Sequence, residues 1–249
     1  MKKLIAALLL TATPAMALDL GAMSESEKEE FGAAIREYLI ANPEVLIESM
    51  NALEQRRIAD EARNDTAMIE QMKAEIYDYD GHWAGGNLEG DVTVVEFIDY
   101  RCGVCRQAFQ DVEDTVSSDG NVKLILKDYP ILGPESEMAS RFAIAVQQAH
   151  GNDAYKQVHD TFYTMRGNVS VESLKAMAEE MGYDADALIE AMNTEAVTDV
   201  LRENAKLANA LQISGTPTFI IGDQLLRGMP RTGIAPLVEA AREAAKSDG

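Results

Sequence analysis

Apolar residues recur at helical spacing along the N-terminal part of the chain. Ser24 and Glu27 have the spacing of a capping box, and an apolar stripe follows from Phe31 to Leu39. Asn42-Pro43 then ends this helix and begins another, because asparagine caps helices and proline suits the first helical position. The pattern therefore predicts two successive helices in this region.

A heptad-like stripe predicts that the second helix is long. Its members are spaced alternately by four and three residues, and all but one are apolar: Ile58, Ala62, Asp65, Ile69, Met72 and Ile76. The helix would contain about 34 residues and extend about 50 Å. So narrow a stripe must pack either on the rest of the chain or on copies of itself. We favour self-association, which makes residues 18–79 an N-terminal helical oligomerisation region.

Residues 80–249 have the pattern of a small sheet interrupted by helices. A short strand is expected near His82-Trp83, and the nearly continuous apolar run over 92–98 is typical of a strand buried on both faces. A helix and a strand over 122–126 complete a β-α-β unit. Residues about 135–212 predict four or five helices and no strand. Strands over 218–221 and 224–227 and a final helix follow, so the fold class is α/β.

The N-terminus has the pattern of a secretory signal. Met1-Lys2-Lys3 precedes an apolar run, and the small residues Ala15-Met16-Ala17 end the segment. The apolar run is shorter than the roughly 20 residues that a membrane-spanning helix needs. We therefore predict a signal peptide over 1–17, cleaved after about Ala17, and export to the periplasm.

Composition excludes several classes of protein. The 249 residues include 22 Lys and Arg against 42 Asp and Glu, a net charge of −20 that argues against nucleic-acid binding. Two cysteines exclude a scaffold held by several disulfides, and three histidines distant in sequence argue against a structural zinc site. We predict no cofactor and no metal. The three histidines, His82, His150 and His159, are expected to be surface or satisfied residues.

The two cysteines stand where a buried strand gives way to a helix, in the motif Cys-Gly-Val-Cys over 102–105. Free N–H groups and the positive end of the helix dipole stabilise a thiolate at such a position. Cys102 is therefore predicted to be exposed and to attack disulfides, and Cys105, one turn further and shielded, to resolve the mixed disulfide. The neighbouring cations Arg101 and Arg106 are expected to lower the thiol pKa further.

Two other uses of a close cysteine pair stay open. A structural disulfide is the weaker, because a loop of four residues constrains little of the unfolded chain. A pair of thiolates that binds copper(I) is the more serious alternative, since soft thiolate ligands suit that ion.

Three separated segments resemble those of exported DsbA-family thioredoxin-fold proteins. Residues 95–105 resemble the active-site segment, 127–136 the entry to the helical insertion, and 215–219 the cis-proline loop. Residues 38–46 resemble a subgroup close to the suppressor-of-copper-sensitivity proteins, whose members can carry an N-terminal oligomerisation region. The resemblance implies a thioredoxin fold with a helical insertion, preceded by an N-terminal helical extension.

The resemblance also implies roles for individual residues. Cys102 matches the nucleophile and Cys105 the resolving thiol. Pro217 matches a cis-proline beside the active-site sulfurs, and Thr216 is the residue whose backbone pairs with an extended substrate.

Glu96 lies in the buried strand, six residues before Cys102, where the family often carries an acid near the buried thiol. A carboxyl in an apolar run has a raised pKa and exchanges protons with a thiol. Pairing with a lysine such as Lys123 or Lys127 is the alternative, and both stay open.

The sequence thus predicts an exported thiol-disulfide oxidoreductase that acts on client proteins and is recharged by a membrane redox partner. The N-terminal helices favour a homo-oligomeric isomerase or reductase. A monomeric dithiol oxidase and a copper(I)-binding protein are the alternatives. Strongly oxidising relatives often carry histidine between the cysteines, and Gly103-Val104 lacks that charge.

Overall fold

A computed structural model describes residues 23–78 and 81–247. The signal peptide predicted over 1–17 lies outside them. The chain divides into two compact units, Met1–Arg57 and Ile58–Gly249. This division lies N-terminal to the boundary predicted after residue 79. Within the described residues, none of the helices combines the length and apolar character needed to cross a bilayer.

The first unit is helical over its described residues. Helix α1 spans Glu25–Ala41 and begins with the predicted capping box on Ser24. Helix α2 spans Glu44–Gln71 and begins in this unit. Many large apolar side chains of the unit are exposed, namely Phe31, Ile35, Tyr38, Ile40, Leu46, Ile47, Met50 and Leu53. The single chain therefore leaves an extensive apolar surface on these helices in contact with water.

The long second helix is shorter than predicted, and the C-terminal half of its stripe, from Asp65 to Ile76, packs on its own chain. Helix α2 ends at Gln71, and after a break at Met72 a short helix α3 spans Lys73–Tyr77. Ile69 and Ile76 are buried in a cluster that covers one face of the sheet. The prediction of self-association is therefore wrong for this half of the stripe, because its apolar side chains cover the sheet of the same unit.

The polar member of the stripe, Asp65, is buried with a partner of its own. Its two carboxylate oxygens accept hydrogen bonds from the Arg227 guanidinium at 2.8 and 2.9 Å. Because the Asp65 carboxylate is paired with this guanidinium, it can lie among apolar side chains at the contact between α2 and the last strand.

The second unit contains a five-stranded mixed sheet in the order β1-β3-β2-β4-β5. All strands pair antiparallel to their neighbours except β2 and β3, which are parallel. Helix α4, Gly103–Asp119, makes the crossover between these two. The strands span Trp83–Gly86 (β1), Val92–Ile98 (β2), Val122–Asp128 (β3), Thr218–Ile221 (β4) and Gln224–Arg227 (β5). The predicted β-α-β start and β-β finish are confirmed.

Five helices form the predicted insertion between β3 and β4. They are α5 (Pro134–His150), α6 (Asn152–Thr164), α7 (Val171–Glu180), α8 (Ala185–Ala191) and α9 (Glu195–Ala210). Side chains of Ser170, Asp184 and Thr194 cap α7, α8 and α9. A final helix, α10, spans Ala235–Ser247.

The strand register assigns alternate residues of β2 to opposite faces of the sheet. Val94 and Ile98 belong to the larger core cluster, which includes both cysteines and α4. Val95 and Phe97 belong to the other cluster, which includes Ile69, Ile76 and the end of α9. Glu96 therefore shares the face of the sheet on which α4 and the cysteines lie.

Candidate active site

The junction between β2 and α4 places Cys102 at the N-cap of the helix. Its backbone is extended, and its Sγ accepts a hydrogen bond from the Cys105 N–H at 3.3 Å. Both cysteines are free thiols. A sulfur in this position receives a helix N–H group and lies at the positive end of the dipole, as the motif predicts.

A loop more than a hundred residues further along the chain meets the first thiol. The Thr216–Pro217 peptide bond is cis, as the resemblance implies. The Cys102 thiol donates a hydrogen bond to the Thr216 carbonyl oxygen, with an Sγ–O distance of 3.1 Å. The fold thus brings Cys102, Cys105, Thr216 and Pro217 to one place, and their catalytic roles stay predictions.

The first thiol is less exposed than predicted. Cys102 is 6% exposed and Cys105 1%. The expectation of an open nucleophile is wrong in this respect, because the loop that contains Thr216 lies against the sulfur. The shielding of Cys105 is as predicted, and burial raises the pKa of its thiol, with the nearby charge of Glu96 adding to the rise.

The two cations beside the motif make their contacts elsewhere. The Arg101 guanidinium pairs with Glu135 at 3.1 Å and donates to the Gly167 carbonyl. Arg106 donates to carbonyl oxygens at the end of α6, those of Phe162, Tyr163 and Met165. The structure therefore does not support the expected role of these cations beside the thiol. Arg106 instead joins α4 to the exposed carbonyls at the C-terminus of a second helix.

Glu96 faces the cysteines and not the lysines. In the register, Lys123 pairs with Thr93 and Lys127 with Phe97, so both lysines project from the opposite face of the sheet. The alternative of an ion pair between Glu96 and either lysine is therefore wrong. Burial raises the pKa of Glu96 to about 8, and the charges of Glu113 and Cys102 contribute to the rise.

Lys127 has its own contacts on the opposite face. Its Nζ donates to the Glu75 carbonyl at 2.9 Å and lies 3.2 Å from His82 Nδ1. Burial lowers the pKa of Lys127 to about 8. Burial and the lysine charge together lower the pKa of His82 to about 3.

A buried hydrogen-bonded chain of side chains lies behind the cysteines and was not predicted. The Tyr100 hydroxyl donates to the Tyr155 hydroxyl at 3.1 Å, which donates to Asp128 Oδ2 at 2.7 Å. His159 Nδ1 lies 3.4 Å from the Tyr100 hydroxyl, and burial lowers the pKa of this histidine to about 3. His159 is therefore a satisfied residue, in agreement with the sequence analysis. The sequence around Tyr100 and Tyr155 contains no pattern that predicts these hydrogen bonds, because the partners of the two tyrosines are distant in sequence.

Asp99 is a second residue that the sequence analysis missed. It is buried, and its carboxylate accepts three backbone hydrogen bonds from two different loops. An aspartate directly after a buried apolar strand is an available signal, since Asp at such a position often caps a turn.

One group of side chains has the composition of a metal site. Ligand atoms of Glu113, His159 and Asp160 lie within 4.8 Å of one another. Lys156 Nζ lies between the carboxylates, 3.0 Å from Glu113 and 2.6 Å from Asp160. An ammonium group already neutralises these oxygens, so the cluster carries no metal proposal.

Comparison with known proteins identifies the fold family. The family described as DSBA-like thioredoxin domain matches residues 93–234, more than half of the chain. The chain belongs to this family. The copper resistance protein ScsC N-terminal domain matches residues 27–59, within α1 and α2. The predicted thioredoxin fold with an N-terminal helical extension is thereby confirmed.

Two solved structures illustrate the similarity. A thioredoxin-like oxidoreductase from Silicibacter pomeroyi is 33% identical, with a TM-score of 0.63, over 70% of this chain and 97% of that one. The thiol-disulfide exchange protein alpha-DsbA2 from Wolbachia pipientis is 27% identical, with a TM-score of 0.63, over 76% of this chain and 97% of that one. The family and these structures support an oxidoreductase that acts on thiols and disulfides.

Curated relatives include larger proteins. The Na(+)/H(+) antiporter NhaA 1 of Salinispora arenicola is 26% identical over 145 residues, 57% of this chain and 22% of the relative. The chain spans 22 to 26% of the length of the first curated relatives that it matches.

Proposed function

We propose that this protein is an exported thiol-disulfide oxidoreductase that exchanges disulfides with client proteins. One observation carries the proposal. The Cys102 thiol lies at the N-terminus of α4, 3.1 Å from the carbonyl oxygen that precedes the cis Pro217. A sulfur beside a backbone carbonyl of a loop suits attack on a disulfide in a polypeptide whose own backbone pairs with that loop.

The exchange begins at Cys102. Its thiolate attacks one sulfur of a client disulfide, an S–S bond forms between Cys102 and the client, and the other client sulfur leaves as a thiolate. Cys105 then attacks the Cys102 sulfur, which forms the enzyme disulfide and releases the second client thiolate. The client is thereby reduced. The reverse sequence oxidises a dithiol, and attack by another client thiolate on the mixed disulfide isomerises the client.

Glu96 supplies the base for the second step in this proposal. Burial raises the pKa of the Cys105 thiol, so this thiol keeps its proton until a base removes it. Burial also raises the pKa of Glu96, so its carboxylate has the proton affinity needed to accept that proton. The strand register supports this role, because Glu96 shares the cysteine face of the sheet.

The N-terminal helices supply the oligomer. Their apolar side chains are exposed in the single chain, and the match to the ScsC N-terminal domain covers the same residues. Several catalytic domains held together keep more than one reactive thiol near a misfolded client, which favours isomerisation or reduction. Export to the periplasm rests on the signal pattern over 1–17, and recharging by a membrane redox partner follows from the need to restore the dithiol.

A comparison of two substrates tests the proposal. The protein from Leu18 onward is expected to rescue a client with scrambled disulfides faster than it oxidises the same client in reduced form. Cys102→Ser should abolish both reactions, while Cys105→Ser should accumulate a mixed disulfide with the client. Efficient oxidation of the reduced client without rescue of the scrambled one would instead indicate a monomeric dithiol oxidase. Tight copper(I) binding with negligible exchange would contradict the proposal and favour the copper-binding alternative.

A further inference from the structure

Arginines of the second unit are rarely left without a partner. Over residues 58–78 and 81–247, every arginine except Arg166 and Arg231 donates to a carboxylate or carbonyl oxygen. Both of these residues are exposed, and within the same ranges neither guanidinium has an ion pair or a hydrogen bond. Because the chain has 42 Asp and Glu against 22 Lys and Arg, an unpartnered arginine is the exception here.

The loop between α6 and α7 holds Arg166 next to the cysteine motif. The carbonyl before it, that of Met165, accepts a hydrogen bond from Arg106 at 3.4 Å. The carbonyl after it, that of Gly167, accepts one from Arg101 at 3.3 Å. Arg101 and Arg106 directly flank the Cys-Gly-Val-Cys motif. The backbone of Arg166 is therefore fixed on both sides by the residues beside the two thiols.

The far end of this loop is fixed as well. Val169 is buried, and the Ser170 side chain caps α7. The Ser173 hydroxyl also donates to the Asn168 carbonyl at 3.3 Å. An exposed cation on such a loop is preorganised, because binding to it requires little further ordering of the backbone.

The second unpartnered arginine lies on a loop that contacts another part of the site. Arg231 follows β5, and the Gly228 N–H at the start of its loop donates to the Pro217 carbonyl at 2.9 Å. One unpartnered arginine thus lies on a loop bound to the cysteine motif and the other on a loop bound to the cis-proline segment. Positive charge is left beside this site in a chain whose net charge is −20.

The distance from Arg166 to the first sulfur decides what its charge can do. One arginine side chain and one hydrogen bond separate Arg166 from the residue next to Cys102, a distance on the order of 10 Å. Two unit charges that far apart in water interact by less than RT, so the cation has little effect on ionisation of the thiol. An extended chain spans the same distance in about three residues. A client attached to Cys102 therefore reaches Arg166 with a nearby side chain.

We propose that Arg166 is a specificity-determining residue, whose guanidinium binds the carboxylate of an Asp or Glu side chain in an extended client segment. This inference rests on the proposed function and adds to it a preference for an acidic residue about two to four positions from the reacting cysteine. The planar guanidinium presents paired donors that match the two oxygens of a carboxylate. The contact adds recognition of charge to a site where the client otherwise pairs through its backbone.

Matched peptides test the inference. Each peptide carries one cysteine as a mixed disulfide with 2-mercaptoethanol, and the members of a set differ only in Glu, Gln or Lys at one position near that cysteine. Each rate is divided by the rate of the same peptide with free 2-mercaptoethanol, which corrects for the reactivity of the peptide itself. At an ionic strength of about 10 mM, the wild-type protein is expected to react about 1.5-fold to fivefold faster with the Glu peptide than with the Gln peptide. The ratio should approach one at about 1 M salt.

Variants of Arg166 assign the preference to its charge. Arg166→Gln should bring the Glu-to-Gln ratio to one or below, since the rest of the chain is acidic. Arg166→Glu should reverse the preference, so that the Lys peptide reacts fastest, and Arg166→Lys should keep the wild-type order. Lys123→Gln removes the same charge from the face of the sheet opposite the cysteines, and it should leave the ratio unchanged.

The outcomes distinguish this inference from the function on which it rests. If the wild-type protein fails to react with bis(2-hydroxyethyl) disulfide, which is uncharged, the proposed function itself is overturned. If it reacts with that disulfide but treats the Glu and Gln peptides equally, only the client preference is overturned. A preference for the Glu peptide that survives unchanged in Arg166→Gln and Arg166→Glu would overturn the assignment to Arg166. Since Arg166 is an exposed loop residue, these substitutions leave the core intact.

Discussion

At the scale of single residues, the site combines a thiol at a helix N-terminus with a buried thiol and a buried carboxyl group. Cys105 and Glu96 lie on the same face of the sheet, and burial raises the pKa of each. In such a pair the thiol resists ionisation until its partner accepts the proton. In the mechanism that we propose, this arrangement controls resolution of the mixed disulfide rather than the first attack.

The raised pKa of Glu96 predicts a dependence of stability on pH. Between its usual value of 4.5 and about 8, the folded protein binds this proton more tightly than the unfolded chain does. Stability therefore falls as pH rises through that window, with a slope of up to about 1.4 kcal/mol per pH unit. Glu96→Gln removes this titrating group and its pH-dependent contribution to stability. The free energy of unfolding of the variant relative to wild type, measured by urea unfolding, should therefore increase from low to high pH.

The surface variant Glu190→Gln serves as the control for that experiment, because its side chain is exposed on α8. Parallel pH profiles for wild type and Glu96→Gln would contradict the prediction.

The same Glu96→Gln variant should also slow release of a client from the mixed disulfide by about tenfold to a hundredfold, which rapid-quench trapping measures.

Val104 offers a direct way to change the redox equilibrium. It is exposed in the first turn of α4, two residues after Cys102. Val104→His should place a cation beside the thiolate, stabilise the reduced protein and raise the reduction potential by about 30 mV or more. Equilibration with glutathione measures the shift. Because imidazole loses its charge as pH rises, the shift should shrink above about pH 7.

The uncharged variant Val104→Gln is the matched control and should shift the potential little. Equal shifts for the two variants would show that the imidazole charge has no part in the effect.

At the scale of elements, helix α2 is attached to the sheet by an ion pair whose carboxylate, that of Asp65, is buried and whose guanidinium, that of Arg227, is partly exposed. The Arg227 guanidinium at the end of β5 donates two hydrogen bonds to Asp65, and Thr66 donates one to the Asp223 carbonyl. Ile69 packs beside these contacts in the cluster that covers the sheet. The C-terminal half of α2 therefore belongs structurally to the second unit.

We expect that removing one partner of this ion pair lowers the free energy of unfolding more than removing both partners does. Arg227→Ala leaves the Asp65 carboxylate buried without its cation, and we expect the free energy of unfolding to fall by about 1–3 kcal/mol. The double variant Asp65→Ala/Arg227→Ala should lose less, since no unpaired charge remains. Urea unfolding monitored by circular dichroism measures both. Arg202→Ala breaks exposed ion pairs on α9 and should cost less than about 1 kcal/mol.

At the scale of the whole molecule, the exposed apolar surface of the N-terminal unit indicates an interaction surface. Leu46, Met50 and Leu53 follow one another at a spacing of four and three residues on α2, and all are exposed. Such a surface on an isolated helix pair is typical of an interface between copies of a chain. Self-association through these residues, and not through the buried half of the stripe from Asp65 to Ile76, is the form of the oligomer that we now predict.

Charged substitutions on this surface should separate assembly from chemistry. Met50→Glu with Leu53→Glu is expected to yield a monomer in sedimentation velocity at micromolar concentration, because burying two carboxylates opposes association. Cys102 should keep its rate with glutathione disulfide, while rescue of a scrambled client should fall about tenfold or more. Gln55→Glu, half a turn away on the same helix, is the control and should remain assembled. A wild-type protein that is already monomeric would remove the basis for the isomerase proposal.

The sequence by itself determined much of the secondary structure and the position of the motif. The apolar run of β2, the hairpin strands β4 and β5, the limits of the helical insertion and the start of α1 all agree with the structure. These features depend on local periodicity, caps and turns, which act between residues a few positions apart. The placement of Cys102 at a helix N-terminus is local in the same sense.

Only the tertiary structure decided which distant groups meet. The register of β2 and β3 turned Glu96 away from Lys123 and Lys127, and a shift of one residue would have reversed that result. The fold also covered Cys102 with the Thr216 loop and directed the Asp99 carboxylate to the amides of a loop more than thirty residues away. Local patterns contain no information about such pairs, because their energies arise only when the chain has packed.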